Sequence, residues 1–207
     1  MSEELLYQGA EAKIVVSEYL GKKVIQKRRV SKSYRIAEID SYLISSRTRE
    51  EAKLIAEARK QGVCVPILYD IDLESGVLTM QYLQGDRMKD ILNELDEKKR
   101  RKICEKIGES IAYLHNGGII HGDITTSNMI LVDDRIYFID FGLGNKSEEI
   151  EARGVDLHVL MEAFNSTHSN HPHCFDDVLE GYKKTYSSDA RAVINKIDEI
   201  VKRGRYR

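Results

Sequence analysis

Between His121 and Gly142 the chain reads HGDITTSN, then MILVDDRIYFID, then FG. No other stretch restricts the fold as much. Two carboxylates, Asp123 and Asp140, stand near its ends, and an amide, Asn128, lies in a loop of small polar residues between them. The apolar run Met129 to Val132, the acidic pair Asp133-Asp134 and the second apolar run Ile136 to Ile139 predict a β-hairpin. Such a hairpin returns the chain on itself and carries Asp140 back toward Asn128. One carboxylate and one amide oxygen are hard donors of the kind that hold Mg²⁺ together with water and phosphate oxygens. Asp123 then remains to orient or deprotonate an attacking hydroxyl or water.

The order and spacing resemble the catalytic half of a protein kinase, where H-R-D-x-x-x-x-N precedes D-F-G. His121-Gly122-Asp123, Asn128 and Asp140-Phe141-Gly142 occupy those places, with Gly122 where the pattern has arginine. On this reading Asp123 is catalytic, and Asn128 and Asp140 are the metal ligands.

The residues that precede this stretch are read against the same resemblance. The β-branched runs Ile14-Val15-Val16 and Val24-Ile25 flank the turn Leu20-Gly21-Lys22 and predict paired strands. Before them, Gly9-Ala10-Glu11-Ala12 stands where a glycine-rich loop would cover ATP phosphates, although only Gly9 is glycine. Val24-Ile25-Gln26-Lys27 is similar to the kinase strand whose lysine clamps the α- and β-phosphates. Strand alternation sets Lys27 on the face of Ile25. Arg47 to Gln61 predicts a helix that stops at Gly62. Glu50 and Glu51 both qualify as an ion-pair partner for Lys27; Glu51 is preferred because it aligns with Ile55 and Ala58 on an inward face, and its competing reading is the last member of a Thr48-x-x-Glu51 capping box. Met80, Gln81 and Leu83 fall on the strand and link where adenine would meet backbone groups. The expected organisation is two lobes, residues 1–84 and 85–207. The expected class is α+β: a two-lobed, protein-kinase-like fold whose reduced N-lobe has a β-sheet and one main helix. Its C-lobe is compact and mostly helical.

An amphipathic helix is predicted from Asp96 to Asn116, closed by Gly117-Gly118. After Gly142 no A-P-E-terminated activation segment is present. Only Leu143 to Gly154 precede the apolar stretch that begins at Val155. Asp156 is read either as a brace for the backbone at His121–Asp123 or as a carboxylate favoured by a helix N-terminus. His168, His171, His173 and Cys174 read as an exposed loop in preference to a metal site. Two helices, Asp176 to Tyr186 and Asp189 to Val201, are expected to close the chain. Lys202, Arg203, Arg205 and Arg207 form a basic tail that Gly204 would keep flexible. That tail is either a solubilising end or a tRNA contact. The net charge of −2 implies no general affinity for polyanions. Three widely spaced cysteines argue for a reducing compartment. No run is long and apolar enough to span a membrane, so a soluble cytoplasmic protein is expected.

Taken together, the chain resembles the small atypical kinase family of the KEOPS complex (the PRPK family), which is related to the RIO kinases. The resemblance rests on Gly9 to Ala12, Lys27 to Lys32, Tyr34-Arg35, Asp40, Arg47-Thr48, Glu51-Ala52, Gly62-Val63 and Val65-Pro66. It also rests on His121 to Asn128 with its Thr125-Thr126-Ser127, and on the Arg-Gly-Arg end. It implies ATP and Mg²⁺ as cofactors. It implies Lys27 as phosphate clamp and Glu51 as its holder, with Gly9, Ala10 and Glu11 over the nucleotide. The implied partners are the threonylcarbamoyl-transferase subunit, the other KEOPS subunits and, through the complex, tRNA. The implied activity is that of an atypical Ser/Thr kinase working mainly as an ATPase in threonylcarbamoyl-adenosine modification of tRNA. Thr125 stands where Ser/Thr kinases carry a catalytic-loop lysine, which argues against efficient peptide phosphorylation. The alternatives are a RIO-like or small-molecule phosphotransferase, and a catalytically idle binding module.

Overall fold

The computed structural model describes residues 3–9 and 11–205, with the side chain of Arg205 left aside. The chain divides into two compact units, residues 1–56 with 66–84 and residues 57–65 with 85–207.

The first unit holds β1 (Glu4–Gln8), β2 (Ala12–Tyr19), β3 (Lys22–Arg29), most of α1 (Ala37–Lys60), β4 (Leu68–Asp72) and β5 (Val77–Gln81). The five strands form one antiparallel sheet in the order β1-β2-β3-β5-β4. Leu20 and Gly21 join β2 to β3 with positive φ at both positions (49° and 75°), the geometry of a tight two-residue hairpin. Leu78 and Met80 of β5 pack on Ala52 of α1, with Ile25 and Leu68 against the cluster. Helix α1 starts ten residues before the expected Arg47. Ser, Ile and Tyr in SYLISS are modest helix formers, which hid its first turns. Those turns are favoured by Glu38 and Asp40, acids at the positive end of the helix dipole. Asp40 also accepts from the Lys32 N–H (3.1 Å) and from Arg35 (3.2 Å). Thr48 therefore lies inside the helix, where its hydroxyl donates to the Ile44 carbonyl at 2.7 Å. The capping-box reading of Thr48 and Glu51 is incorrect.

The second unit holds β6 (Asp86–Arg87), α2 (Met88–Ile91), α3 (Glu97–Asn116), β7 (Ile119–Ile120), β8 (Met129–Val132), β9 (Arg135–Phe138) and β10 (Asn145–Lys146). Three helices follow: α4 (Ile150–Thr167), α5 (Cys174–Thr185) and α6 (Ala190–Arg205). Asp96 caps α3 by accepting the Lys99 N–H at 2.9 Å. Ile103, Ile107, Ile111 and Leu114 are its buried stripe. Helix α5 approaches α3 at glycines; a Cβ on Gly181 would stand 1.9 Å from the Glu105 carbonyl oxygen. Strands β6, β8 and β9 form a small sheet, and β7 pairs with β10. Asp133 and Asp134 turn the β8–β9 hairpin with φ of 46° and 61°, again a two-residue turn.

Two expectations about this unit are corrected. Helix α4 begins at Ile150, so the segment after Gly142 is shorter than expected. Helix α6 runs through Gly204 to Arg205, so the basic residues 202–205 are helical and Gly204 is not a flexible joint. The helix continues past Gly204, and Arg203 pairs with Glu151 at 2.5 Å. Among the described residues no helix is long and apolar enough to cross a membrane.

Candidate active site

In the first unit, β3 and α1 bring Lys27 and Glu51 together. Lys27 Nζ donates to Glu51 Oε1 at 2.6 Å, and both side chains are buried. The other carboxylate oxygen, Oε2, accepts from Arg29 at 2.7 Å. Arg29 follows Lys27 by two residues on β3, so the pleat turns both to one face. One carboxylate thus bridges a lysine and an arginine away from water, each through its own oxygen. Arg29 also approaches Glu11 at 3.7 Å, and Arg47 bonds Glu11 at 2.8 Å. Glu11, read as a nucleotide contact, is thus tied into this arginine network, which lowers its pKa against the opposing effect of burial. The Gly9 N–H donates to the Ala12 carbonyl at 3.0 Å. Ala10 lies outside the described residues. Met80 is buried on β5, and the Gln81 N–H is already used by the Ile67 carbonyl at 2.8 Å. Leu83 follows, partly exposed.

In the second unit, β7 leads into the loop His121 to Asn128, whose end is a single 3₁₀ turn, Thr126–Asn128. The Asn128 amide donates to both the main-chain carbonyl and Oδ2 of Asp123, each at 2.9 Å. With its NH₂ used inside the loop, Asn128 has Oδ1 as its remaining donor atom for a cation. The hairpin then returns. The Ile139 N–H donates to the Asn128 carbonyl at 3.0 Å, so Asp140 is the next residue beyond that contact. Asp140 has φ of 63°, a left-handed conformation that a non-glycine residue adopts at some cost. Its exposed carboxylate accepts the Gly142 N–H at 3.2 Å. An amide oxygen and a carboxylate at adjoining ends of one hairpin are hard, oxygen-only donors, which fits Mg²⁺.

The loop backbone is held from α4. Buried Asp156 accepts the His121 and Gly122 N–H groups, each at 2.8 Å. It also accepts from His115 Nε2 at 3.3 Å, while His115 Nδ1 meets the Tyr182 hydroxyl at 3.0 Å. Of the two readings of Asp156, the structure shows the brace. Gly122 has φ of 82°. A Cβ there would stand 2.3 Å from the Leu143 carbonyl oxygen, so no arginine fits the position as it is built. His121 is fully buried. Its Nε2–H donates to the Ile139 carbonyl at 3.1 Å, and its Nδ1 accepts the Asp123 N–H at 3.3 Å. That pattern requires the neutral ring, and burial lowers its pKa below the ordinary value of 6.5. Its ring lies 4.5 Å from that of Phe141.

The loop read as exposed is partly interior. His168 and Cys174 are buried, and His168 bonds Thr126 and Asn93. Its place as the C-cap of α4 draws it inward, which the polar neighbours in sequence did not disclose. Among the described residues no group of three or more His, Cys, Asp or Glu is arranged to hold a metal ion. In the tail, Lys202 is exposed and Arg203 is committed to Glu151. The Arg205 side chain and Arg207 lie outside the described residues. Sequence reasoning gave Arg29 and His115 no role and placed His168 in an exposed loop. Only Arg29 carried a local signal, its two-residue spacing from Lys27.

An aspartate locked to the asparagine five residues on, with Asp-Phe-Gly delivered by the following hairpin, defines the class of protein-kinase-like proteins. The family described as protein kinase domain matches residues 10–172. The chain is 44% identical over 212 residues to the KEOPS complex subunit Bud32 of Pyrococcus abyssi, covering 99% of this chain and 96% of that one. It is 46% identical over 204 residues to a probable bifunctional tRNA threonylcarbamoyladenosine biosynthesis protein of Methanothermobacter thermautotrophicus, covering 98% of this chain. A protein of the same description from Methanobrevibacter smithii is 44% identical over 210 residues. The chain spans 36% and 37% of the length of these two bifunctional relatives. It belongs to the protein kinase family and, within it, to the family of the KEOPS subunit Bud32.

Proposed function

We propose that the chain is a Mg-ATP-dependent atypical Ser/Thr kinase and ATPase, acting within a KEOPS complex in threonylcarbamoyl-adenosine modification of tRNA. The observation that carries the chemistry is the Asp123–Asn128 lock. It leaves one carboxylate oxygen of Asp123 for an incoming hydroxyl or water, and one amide oxygen for the metal. Asn128 and Asp140 would hold Mg²⁺, which neutralises charge on the phosphate oxygens when bound. Lys27, fixed by Glu51, would bind the α- and β-phosphates, and Gly9, Ala10, Glu11, Met80, Gln81 and Leu83 would serve the nucleotide. Asp123 accepts the proton as the nucleophile's oxygen bonds to the γ-phosphorus and the bond to the β-phosphate oxygen breaks. Water as nucleophile gives hydrolysis, and a Ser or Thr hydroxyl gives the phosphoprotein.

The short segment after Gly142, and Thr125 in place of a lysine, favour ATP hydrolysis over phosphorylation of free peptides. The relatives, a KEOPS complex subunit and tRNA threonylcarbamoyladenosine biosynthesis proteins, support the KEOPS and tRNA setting. The bifunctional relatives carry this chain's counterpart as about a third of their length. On that basis the remaining activity would come from a threonylcarbamoyl-transferase partner, as a second chain or a second segment. Lys202, Arg203, Arg205 and Arg207 would contact tRNA, and the cytoplasm is the proposed setting. The test is ATP turnover and autophosphorylation in Asp123→Ala and Asp140→Ala. Asp123→Ala should keep its fold and lose about a hundredfold or more in turnover. Asp140→Ala should also lose Mg-dependent nucleotide binding. Wild-type turnover in Asp123→Ala would end this reading.

A further inference from the structure

Asp156 holds only the first part of the catalytic loop. A second attachment lies three residues past Asp123, and it too comes from α4. Thr126, 1% exposed, sits in the 3₁₀ turn that ends at Asn128. Its hydroxyl lies 2.9 Å from Nε2 of His168, the buried C-cap of α4. Nδ1 of the same ring lies 2.7 Å from Asn93 Oδ1, and Asn93 Nδ2 donates to the Thr167 carbonyl at 3.3 Å. These contacts form one chain with no conflict of roles. The Thr126 hydroxyl donates to Nε2, Nδ1–H donates to the Asn93 oxygen, and the Asn93 amide donates to the helix end. In that arrangement the ring is neutral, and burial lowers the His168 pKa in the same sense. His168 is itself fixed: its N–H donates to the Phe164 carbonyl at 2.8 Å, and its carbonyl accepts the His171 N–H at 2.9 Å.

We propose that His168 is a positioning residue for Asp123 and Asn128, acting through the Thr126 hydroxyl. Helix α4 thereby grips the loop on both sides of Asp123, at residues 121–122 through Asp156 and at residue 126 through His168. The 3₁₀ turn transmits the second grip, because the Asn128 N–H bonds the Thr125 carbonyl at 3.0 Å and the Asn128 amide bonds Asp123. A misplacement of about 1 Å at reacting groups can cost about a hundredfold in rate. Releasing one of two grips should therefore appear in kcat far more than in nucleotide affinity.

The inference rests on the phosphoryl-transfer reading above, and the experiment separates the two. ATP consumption is measured on the full-length chain for wild type, Asp123→Ala, His168→Ala, His168→Gln, Thr126→Val and the double variant Thr126→Val/His168→Ala. His168→Ala should lower kcat about tenfold while KM for ATP stays within about twofold. His168→Gln, whose amide can both accept from Thr126 and donate to Asn93, should recover most of that loss. Thr126→Val keeps the side-chain volume and removes only the hydroxyl, so it serves even where His168→Ala unfolds. It should lose as much as His168→Ala, and the double variant should lose no more than either. Losses that multiply in the double variant would overturn the proposal, as would wild-type kcat in Thr126→Val. So would a fall in kcat that only tracks a lowered melting temperature and is not rescued by glutamine. Normal turnover in Asp123→Ala would instead defeat the phosphoryl-transfer reading itself.

Discussion

Lys27 in the first unit is buried and Asp123 in the second is partly buried, and different forces hold them. Lys27 is held by charge. One carboxylate, Glu51, serves both Lys27 at 2.6 Å and Arg29 at 2.7 Å. Asp123 is held by the backbone. Its loop is fixed through N–H groups donated to Asp156, an N–H donated to His121 and two amide bonds from Asn128. An ion cluster tolerates sliding, because charges attract over several ångströms and Arg29 has Glu11 as a second anion at 3.7 Å. A backbone N–H that loses its buried acceptor has no such reserve. The lesson is that a group which binds phosphates through charge needs only a pinned cation. A group which must align with one reacting oxygen needs a rigid main chain.

The sharpest test of that contrast is Asp156→Ala. It strands the buried His121 N–H, the Gly122 N–H and His115, and should cost about 5 kcal/mol with loss of turnover; chemical denaturation measures it. Glu51→Ala should cost less, about 3 kcal/mol, and should weaken nucleotide binding. Equal losses in these two variants would erase the distinction. Gly122→Ala comes next. Its Cβ would press on the Leu143 carbonyl in a left-handed backbone, costing about 2 kcal/mol. Turnover should fall further than the melting temperature suggests, because the strain falls on the residue before Asp123.

A pH scan separates the units more gently. His121 and His168, both in the second unit, are neutral and have pKa values lowered by burial. Below pH 6.5 the unfolded chain takes up protons that the folded rings refuse. Stability should therefore fall as pH drops from 6.5 toward the folded values, by at most about 1.4 kcal/mol per histidine per pH unit. Melting curves of His168→Gln should show a shallower fall than wild type; an identical slope would remove His168 from the account. The smallest effect belongs to the tail. Deleting residues 203–207 removes the exposed Arg203–Glu151 pair and should leave the melting temperature nearly unchanged. If the tail meets tRNA, the log–log salt slope of tRNA affinity should flatten by about one counterion per lost contact.

Some of this was legible along the chain. The β8–β9 hairpin was readable from two apolar runs around Asp133-Asp134, and α3 from its isoleucine stripe between Asp96 and Gly117. Lys27 could be picked out from its basic neighbours by strand alternation. The start of α1 was not readable, because SYLISS has weak propensity and its stabilising partners, Lys32 and Arg35, lie outside the helix. The helical course of residues 202–205 was hidden for a similar reason: Gly204 argues locally against a helix, and Glu151 lies far away in sequence. Of the site, the order of Asp123, Asn128 and Asp140 could be read, together with the donor chemistry they offer. The braces could not, since Asp156 reaches back 35 residues to His121 and His168 reaches back 42 to Thr126.

The sequence by itself determined which groups are available: a lysine on a strand, an acid on a helix, and two carboxylates with an amide around one hairpin. These follow from local rules of spacing, alternation and turn geometry, which act within a few residues. Only the tertiary structure decided how those groups are held. Arg29 shares Glu51, Asp156 takes the loop amides, Gly122 lies against Leu143, and the neutral histidines face inward. Each of these depends on contacts between segments far apart in the chain and on burial, which makes an unpaired charge or N–H costly. No local pattern encodes that cost, because it arises only when water is excluded by the rest of the fold.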